Sequence, residues 1–440
     1  MNTHPVGPLY REGTIPRHPR EYYELFSRPR SYMGMGMDGS NGKAVAMDAD
    51  ESEAEVRGLL QKTAKSARRG VYMHIPFCRT HCSYCAFYRY AVDKDVPRFV
   101  EATAAMLERL GQTPYVSSQR FDTFYFGGGT PTAIGLAGLE RILSTLLKVF
   151  KPSEGHEFTV ESNISELSPE LLSLLKRHHV NRISLGVQSF DTETRRGLGR
   201  RAEREQVIRT VERVRDAKMR TSVDLLYAIP GQTVEHFVEQ VRTACEIGVD
   251  NVSQYRLKVF PNTPLKKAID AGESLPLAAR AEWTDMQLAG WDEAERHGYY
   301  RWNTKNFGKT EAERCRYTWT HYAPTDLVPT GCGAGGQIGL ARFHTNRDLN
   351  AYCQHIQEGR FPFSGATMGT MDALYLRKLR GLLQQKELDL AELGRRFGVD
   401  SERLHRETLD ELAAKRLIEL DGDTVRLTRL GVVWWPEVAL

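Results

Sequence analysis

Between residues 71 and about 256 the chain repeats one pattern six times: a short run rich in β-branched and aromatic residues, then a stretch with helical apolar spacing. The runs at 71–75, 121–126, 157–162, 182–187, 222–228 and 251–256 read as strands. Between them, Phe99, Thr103, Met106 and Leu110 share one helical face, as do Leu139, Ile142, Leu146 and Leu147. Val207, Val211 and Val214, then Phe237, Val241 and Cys245, continue the series, and Ser168-Pro169 is a strong helix start. Strands joined through helices must lie parallel, and parallel sheets present chemistry at the C-terminal ends of their strands. Six units rather than eight predict an α/β fold built on a partial (β/α)6 barrel of the TIM type.

The length leaves room for more than this unit. With 440 residues, 41% of them hydrophobic, the chain can bury two or three cores. Lys and Arg total 60 against 56 Asp and Glu, which gives no bias toward nucleic acid or a membrane surface. No apolar run approaches the ~20 residues of a membrane span, and the start lacks an apolar signal core. The 7 cysteines are odd in number and mostly scattered, unlike a disulfide framework. A reduced, cytoplasmic protein is expected.

Three cysteines do cluster. Cys78, Cys82 and Cys85 follow the first strand at C-x3-C-x2-C spacing, within Tyr72-Met-His-Ile-Pro-Phe-Cys-Arg-Thr-His-Cys-Ser-Tyr-Cys. A loop this short can wrap soft thiolates round iron–sulfur, zinc or copper(I), not a hard cation. A structural zinc or an electron-transfer cluster normally takes four protein ligands. Three would leave one iron of a [4Fe–4S] cube open to an outside ligand. The competing reading is a zinc loop completed by His74 or His81, without the second C-x2-C pair of a usual zinc module.

Further polar residues fall at the ends of the same strands. Gly127-Gly-Gly-Thr130-Pro131 follows the second, where backbone without side chains admits a ligand closely and offers N–H donors. Glu161 ends the third strand, Gln188 the fourth, and Asp224 lies in the fifth. Inward polar groups left unpaired cost about 1–3 kcal/mol each, so a polar ligand or structural hydrogen bonds must satisfy them.

Together these motifs resemble the radical S-adenosylmethionine (SAM) superfamily. The resemblance implies a [4Fe–4S] cluster on Cys78, Cys82 and Cys85, with SAM chelating the open iron. It implies that Gly128, Gly129, Thr130, Glu161, Gln188 and Asp224 hold SAM, while Tyr72 and Tyr84 shape its pocket. Arg200, twelve residues after Gln188 and next to Arg201, matches the arginine that pairs with the SAM carboxylate. Reduced flavodoxin or a similar donor would supply electrons. The longer string Tyr-x-His-Ile-Pro-Phe-Cys-x3-Cys-x-Tyr-Cys resembles the oxygen-independent coproporphyrinogen dehydrogenase branch, and the likeness runs over roughly 70–440.

Outside the repeat the chain divides into a 1–68 extension, the 69–260 core, a 261–370 substrate-side region and a 371–440 final domain. Residues 32–42, Tyr-Met-Gly-Met-Gly-Met-Asp-Gly-Ser-Asn-Gly, read as flexible, with one helix near Val56, Leu59 and Leu60. Residues 280–296 read as a helix with Trp283, Gln287 and Trp291 near one face. After it, aromatics interleave with cations from Tyr299 to Tyr322, a composition that suits a flat ring bearing carboxylates, RNA bases or plain core packing. His321 is a candidate iron ligand there. Gly331-Cys-Gly-Ala-Gly-Gly336 matches a dinucleotide fingerprint in letters but lacks a βαβ setting. Helical periods at 372–383, 389–397 and 402–415, with a hairpin turning at Asp421-Gly422, look like a winged-helix α+β domain. Its mixed charges show no basic face for DNA.

Within the branch, coproporphyrinogen dehydrogenases usually carry one more cysteine where Phe87 stands, and haem-chaperone relatives carry His-Asn-x-x-Tyr-Trp where this chain has Arg316-Tyr-Thr-Trp-Thr-His-Tyr. The stretch 255–265, Tyr-Arg-Leu-Lys-Val-Phe-Pro-Asn-Thr-Pro-Leu, and the glycine segment resemble the anaerobic haem-degrading radical SAM methyltransferases. That resemblance implies haem as substrate, opened without oxygen by transfer of a one-carbon unit from a second SAM, with iron released for use. Haem trafficking, coproporphyrinogen oxidation and an iron–sulfur winged-helix regulator are the alternatives.

Overall fold

The strands form where they do because alternate residues face two unlike environments. The structure, a computed structural model, describes residues 45–66, 68–321, 325–385 and 387–435; the stretch 32–42 lies outside them. A short β1 (Val45–Ala46) precedes the six strands of the repeat: β2 (Arg69–Ile75), β3 (Phe121–Gly128), β4 (Pro152–Ser162), β5 (Arg182–Gln188), β6 (Arg220–Tyr227) and β7 (Asn251–Arg256). Val71, Met73 and Ile75 of β2 and Phe124 and Phe126 of β3 are fully buried on the helix side. The intervening Tyr72, His74, Tyr125 and Gly127 belong to the concave face. In the parallel register Tyr72 lies opposite Tyr125, Tyr125 opposite Thr159, and Thr159 opposite Arg182. Residues of one parity therefore line the inside of the arc across every strand.

Helices Val92–Gly111, Gly135–Val149, Pro169–Arg177, Arg204–Asp216 and Val234–Glu246 form the outer layer. Ser168 Oγ accepts from the Leu171 N–H and Pro169 opens its helix, as the sequence predicts. Beyond β7, the chain adds β8 (Tyr300–Arg301) and β9 (Asn306–Gly308), then β10 (Asp326–Gly331), β11 (Gly335–Ile338), β12 (Ala341–Thr345) and β13 (Phe363–Met368). β10 pairs parallel with β2, so the parallel arc has one strand more than the repeat predicts. Pro329 and the absence of a preceding helical period concealed it from sequence. The whole sheet runs β1-β13-β12-β11-β10-β2-β3-β4-β5-β6-β7-β9-β8.

The glycine segment at 331–336 is the turn and first residues of the β10–β11 hairpin, not a nucleotide loop. Gly333 has φ +83°, and a Cβ there would collide with the Tyr88 hydroxyl, which donates to the Cys332 carbonyl at 2.9 Å. Cys332 itself is a buried core residue. The final domain packs helices Met371–Leu383, Leu390–Phe397 and Ser401–Ala414 on a sheet of β14 (Leu388–Asp389), β15 (Ile418–Asp421) and β16 (Thr424–Leu427), turning through Gly422 at φ +56°. Arg429 reaches the Leu288 carbonyl at 3.1 Å and Asp292, tying this domain to helix Arg280–Arg296. Among the described residues no helix is long and apolar enough to cross a membrane.

Candidate functional site

The cysteine loop leaves β2 at the C-terminal mouth of the arc and is braced there by backbone. Gly129 N–H donates to the Ile75 carbonyl at 3.0 Å and Thr130 N–H to the Phe77 carbonyl at 2.7 Å. Thr130 Oγ1 lies 3.4 Å from Cys78 Sγ. On its other side the loop is held by Ser83, whose N–H donates to the Leu198 carbonyl at 3.1 Å and whose carbonyl accepts from Leu265 N–H at 2.8 Å. A Cβ on Gly129 would come 2.6 Å from the Phe77 carbonyl and 3.0 Å from Cys78 Sγ; one on Gly199 would come 2.9 Å from the His81 carbonyl. Two glycines, one just past β3 and one just past the short helix Thr192–Gly197, thus let backbone close on the loop.

This corrects one expectation. The glycine segment does not keep its N–H groups for a ligand: Glu161 accepts from Gly128 N–H, while Gly129 and Thr130 donate to the loop. A buried backbone donor must be paired, and the nearby carbonyls and carboxylate pair it.

The polar residues predicted at strand ends converge on the same mouth. Arg200 turns inward, donating to Asn163 Oδ1, to the Gly186 carbonyl at 3.0 Å and to the Tyr84 hydroxyl at 3.2 Å; its neighbour Arg201 is exposed. Arg200 Nε is buried with no partner. Burial draws its pKa down, but Tyr84 and Cys82 outweigh that and leave it raised. Gln188 is buried at the end of β5 with φ +69°, beside an irregular register with β6. A non-glycine residue held there costs about 1–3 kcal/mol, strain of the kind found where a side chain is aimed at a ligand. Glu161 accepts from the Tyr125 hydroxyl at 2.6 Å. Burial raises its pKa to about 7, and raises that of Asp224, bonded to Ser253, to about 6. Burial also lifts Tyr84 to about 12.

Tyr72 hydrogen-bonds His74 Nδ1 at 3.0 Å, and His74 stacks on Tyr88 with centroids 5.5 Å apart. Burial, helped by Arg347, lowers the His74 pKa to about 4. His81 is exposed. Among the described residues no three His, Cys, Asp or Glu side chains close to the spacing one ion requires. The donor set of three half-buried thiols, an inward arginine with an unpaired N–H and two carboxylates suits a cluster plus a zwitterionic ligand better than a lone zinc.

Three participants were not singled out from sequence: Asn163, Tyr125 and Tyr317. Tyr125 was recoverable, since it shares strand parity with Gly127. Asn163 lies one residue beyond β4. Tyr317 comes from a distant segment, stacking on Tyr125 at 4.2 Å and Tyr72 at 5.8 Å inside the arc. Its stretch enters near the strand starts, where Arg316 N–H and Cys315 Sγ meet Glu157 Oε1 and Arg182 pairs with Glu157. Tyr299, Trp302 and Phe307 are buried. Among the described residues of this aromatic region, Tyr299, Trp302 and Phe307 are therefore core rather than a face for a flat ring, while Tyr300 is exposed. The side chain of His321 lies outside the described residues.

Comparison with known proteins agrees with this geometry. The model of the radical SAM superfamily matches residues 72–244, and that of the HemN C-terminal domain matches 379–434. Anaerobilin synthase of Escherichia coli O157:H7 is 31% identical over 306 residues, covering 69% of this chain and 68% of that protein. Heme chaperone HemW of Bacillus subtilis (strain 168) is 29% identical over 375 residues, covering 84% and 98%. Coproporphyrinogen III oxidase (HemN) from Escherichia coli has the same fold, with TM-score 0.78 at 21% identity over 89% of this chain and 93% of that one. The chain belongs to the radical SAM superfamily, whose members use a [4Fe–4S] cluster and SAM. Within it, the branch is the one that holds anaerobilin synthase, HemW and oxygen-independent coproporphyrinogen oxidase.

Proposed function

We propose that this protein is a radical SAM enzyme that opens the haem ring without oxygen, moving a SAM-derived one-carbon unit onto the tetrapyrrole and freeing iron. The observation that carries the reading is the convergence of the Cys78–Cys82–Cys85 loop, Arg200 and two half-buried carboxylates at one mouth. The similarity to anaerobilin synthase, and Phe87 where coproporphyrinogen dehydrogenases usually place a cysteine, support haem over coproporphyrinogen.

A [4Fe–4S] cluster held at this mouth, with reduced flavodoxin or a similar donor as its electron source, would supply the chemistry that splits SAM reductively into methionine and a 5′-deoxyadenosyl radical. The chain's own residues position the reactants. Cys78, Cys82 and Cys85 hold the cluster, Gly129 and Thr130 fix their loop, and Gly128 N–H steadies Glu161. Arg200, with its open Nε–H, takes a SAM carboxylate as a charge-assisted hydrogen bond. Glu161, Gln188 and Asp224 take the ammonium and ribose hydroxyls, while Tyr72 and Tyr84 wall the pocket. The two half-buried carboxylates sit where a cationic, hydroxyl-rich ligand can pair with them.

HemW supplies a second reading, favoured by the match over 98% of its length: haem trafficking in place of degradation. Anaerobic reconstitution with iron, sulfide, reductant, SAM and haem separates the two. Ring opening predicts loss of the haem spectrum and a product heavier by one carbon. Released methionine beside unchanged porphyrin refutes it in favour of trafficking.

A further inference from the structure

Asn163 stands where an asparagine usually caps a helix, and its side chain caps nothing. It precedes the 3₁₀ turn Ile164–Glu166 with extended backbone, φ −89° and ψ 151°, yet its side-chain oxygen accepts no N–H of that turn. The turn is closed by backbone alone, Glu166 N–H donating to the Asn163 carbonyl at 3.3 Å. The side-chain oxygen accepts from Arg200 Nη1 instead, and the side-chain amide donates to the Glu166 carboxylate. Arg200 can only donate and a carboxylate accepts, so an amide turned with Oδ1 to the arginine and Nδ2 to the glutamate suits both.

These contacts belong to a ring that begins and ends on the cysteine loop. Cys78 Sγ lies 3.4 Å from Thr130 Oγ1. Two residues on, Thr132 Oγ1 donates to Glu166 Oε2 at 3.4 Å and lies 2.9 Å from Ser162 Oγ. From Glu166 the ring passes through Asn163 to Arg200, whose Nη2 returns to the Tyr84 hydroxyl, between Cys82 and Cys85, at 3.2 Å. The Gly186 carbonyl also accepts from Nη1, at 3.0 Å. Nε–H is left over, buried and without a partner among the described residues. The guanidinium is rigid and planar, so the acceptors that hold its Nη groups also set where Nε–H points. Two acceptors fix a line about which that plane can still turn, and the third fixes the plane.

We propose that Asn163 is a positioning residue: oriented by Glu166, it locks the Arg200 guanidinium so that Nε–H meets the carboxylate of the bound SAM. Without Asn163, Arg200 keeps its charge and loses its aim. This rests on the reading of Arg200 as the partner of the SAM carboxylate, and it names what holds that partner in place.

The test is anaerobic calorimetric titration of the reconstituted holoprotein with SAM and with decarboxylated SAM, which keeps the sulfonium, amine and nucleoside but offers no carboxylate. Wild type is compared with Asn163→Ala, Glu166→Leu, Arg200→Lys and Asn163→Ala/Arg200→Lys, and cluster absorbance and melting temperature report whether each is intact. Should Asn163→Ala not fold, Asn163→Leu, which fills a similar volume, is read in the same way. Asn163→Ala should weaken SAM about tenfold and leave decarboxylated SAM unchanged, with Glu166→Leu moving SAM in the same direction. The double variant should bind SAM no more weakly than Arg200→Lys alone, because both changes remove one interaction. An intact Asn163→Ala or Glu166→Leu with wild-type SAM affinity refutes the positioning role. So does a loss shared by both ligands, or one that adds to the loss in Arg200→Lys, and in each case Arg200 keeps its own role. Wild-type SAM affinity in Arg200→Lys refutes the reading of Arg200 itself and the proposal with it.

Discussion

Replacing Glu161 by Gln keeps the acceptor for the Tyr125 hydroxyl and removes the buried charge. Burial lifts the native carboxyl from its ordinary 4.5 to about 7, against the pull of Tyr125 and Gly128. At ~1.4 kcal/mol for each power of ten in proton affinity, ionising it in the ligand-free fold costs about 3 kcal/mol. The sign follows from the order of titration. The unfolded chain ionises first, so wild-type stability is fully present below about pH 4.5 and is lost as pH rises to about 7. Glu161→Gln escapes that loss. Its advantage should be near zero at pH 4.5, grow to pH 7 and level off above. With an unfolding entropy of ~2.1 cal/mol/K per residue over the 440-residue chain, the plateau is about 3 °C in Tm. Melting curves of the SAM-free protein across that range measure it, and SAM at pH 8 should raise the wild-type Tm more than the variant's. An advantage independent of pH, or a less stable variant at pH 8, would refute the burial argument.

Three other outcomes follow from the same contacts. Gly129→Ala should push the cysteine loop off its brace and cut iron incorporation on reconstitution, whereas Gly58→Ala, with nothing within 4 Å of the new Cβ, should stabilise its helix by about 0.5–1 kcal/mol in urea melts. Arg200→Lys cannot serve Asn163, Gly186 and Tyr84 together, so SAM affinity by calorimetry should fall about tenfold, and an unchanged affinity would remove Arg200 from the SAM site. Arg182→Ala leaves Glu157 charged and buried beside Cys315; a loss of about 3–5 kcal/mol at pH 7 is expected in denaturant titration, largely recovered by Arg182→Ala/Glu157→Gln.

Much of the fold was legible because its signals are local. A period of two in strands and of 3.6 in helices needs no knowledge of distant chain, and so six strands, the capped helix at Ser168 and the turn at Gly422 could be placed from residues alone. Position along the strands likewise placed Glu161, Gln188 and Asp224 toward one end of a parallel sheet, whereas Tyr72 entered through the family resemblance. What failed was non-local. The β10 strand is defined by its pairing with β2, which no periodicity announces.

Composition and spacing by themselves determined that the chain forms parallel βα units and carries three cysteines in one loop at C-x3-C-x2-C spacing. The tertiary structure alone decided that Arg200 rather than Arg201 turns inward, that Gly129 N–H braces the loop while Gly128 N–H serves Glu161, and that Tyr317 stacks on Tyr125. Each of these depends on which distant backbone offers an acceptor, a ring or a charge. That is a property of closure in space, and a linear pattern does not encode it in any single window of residues.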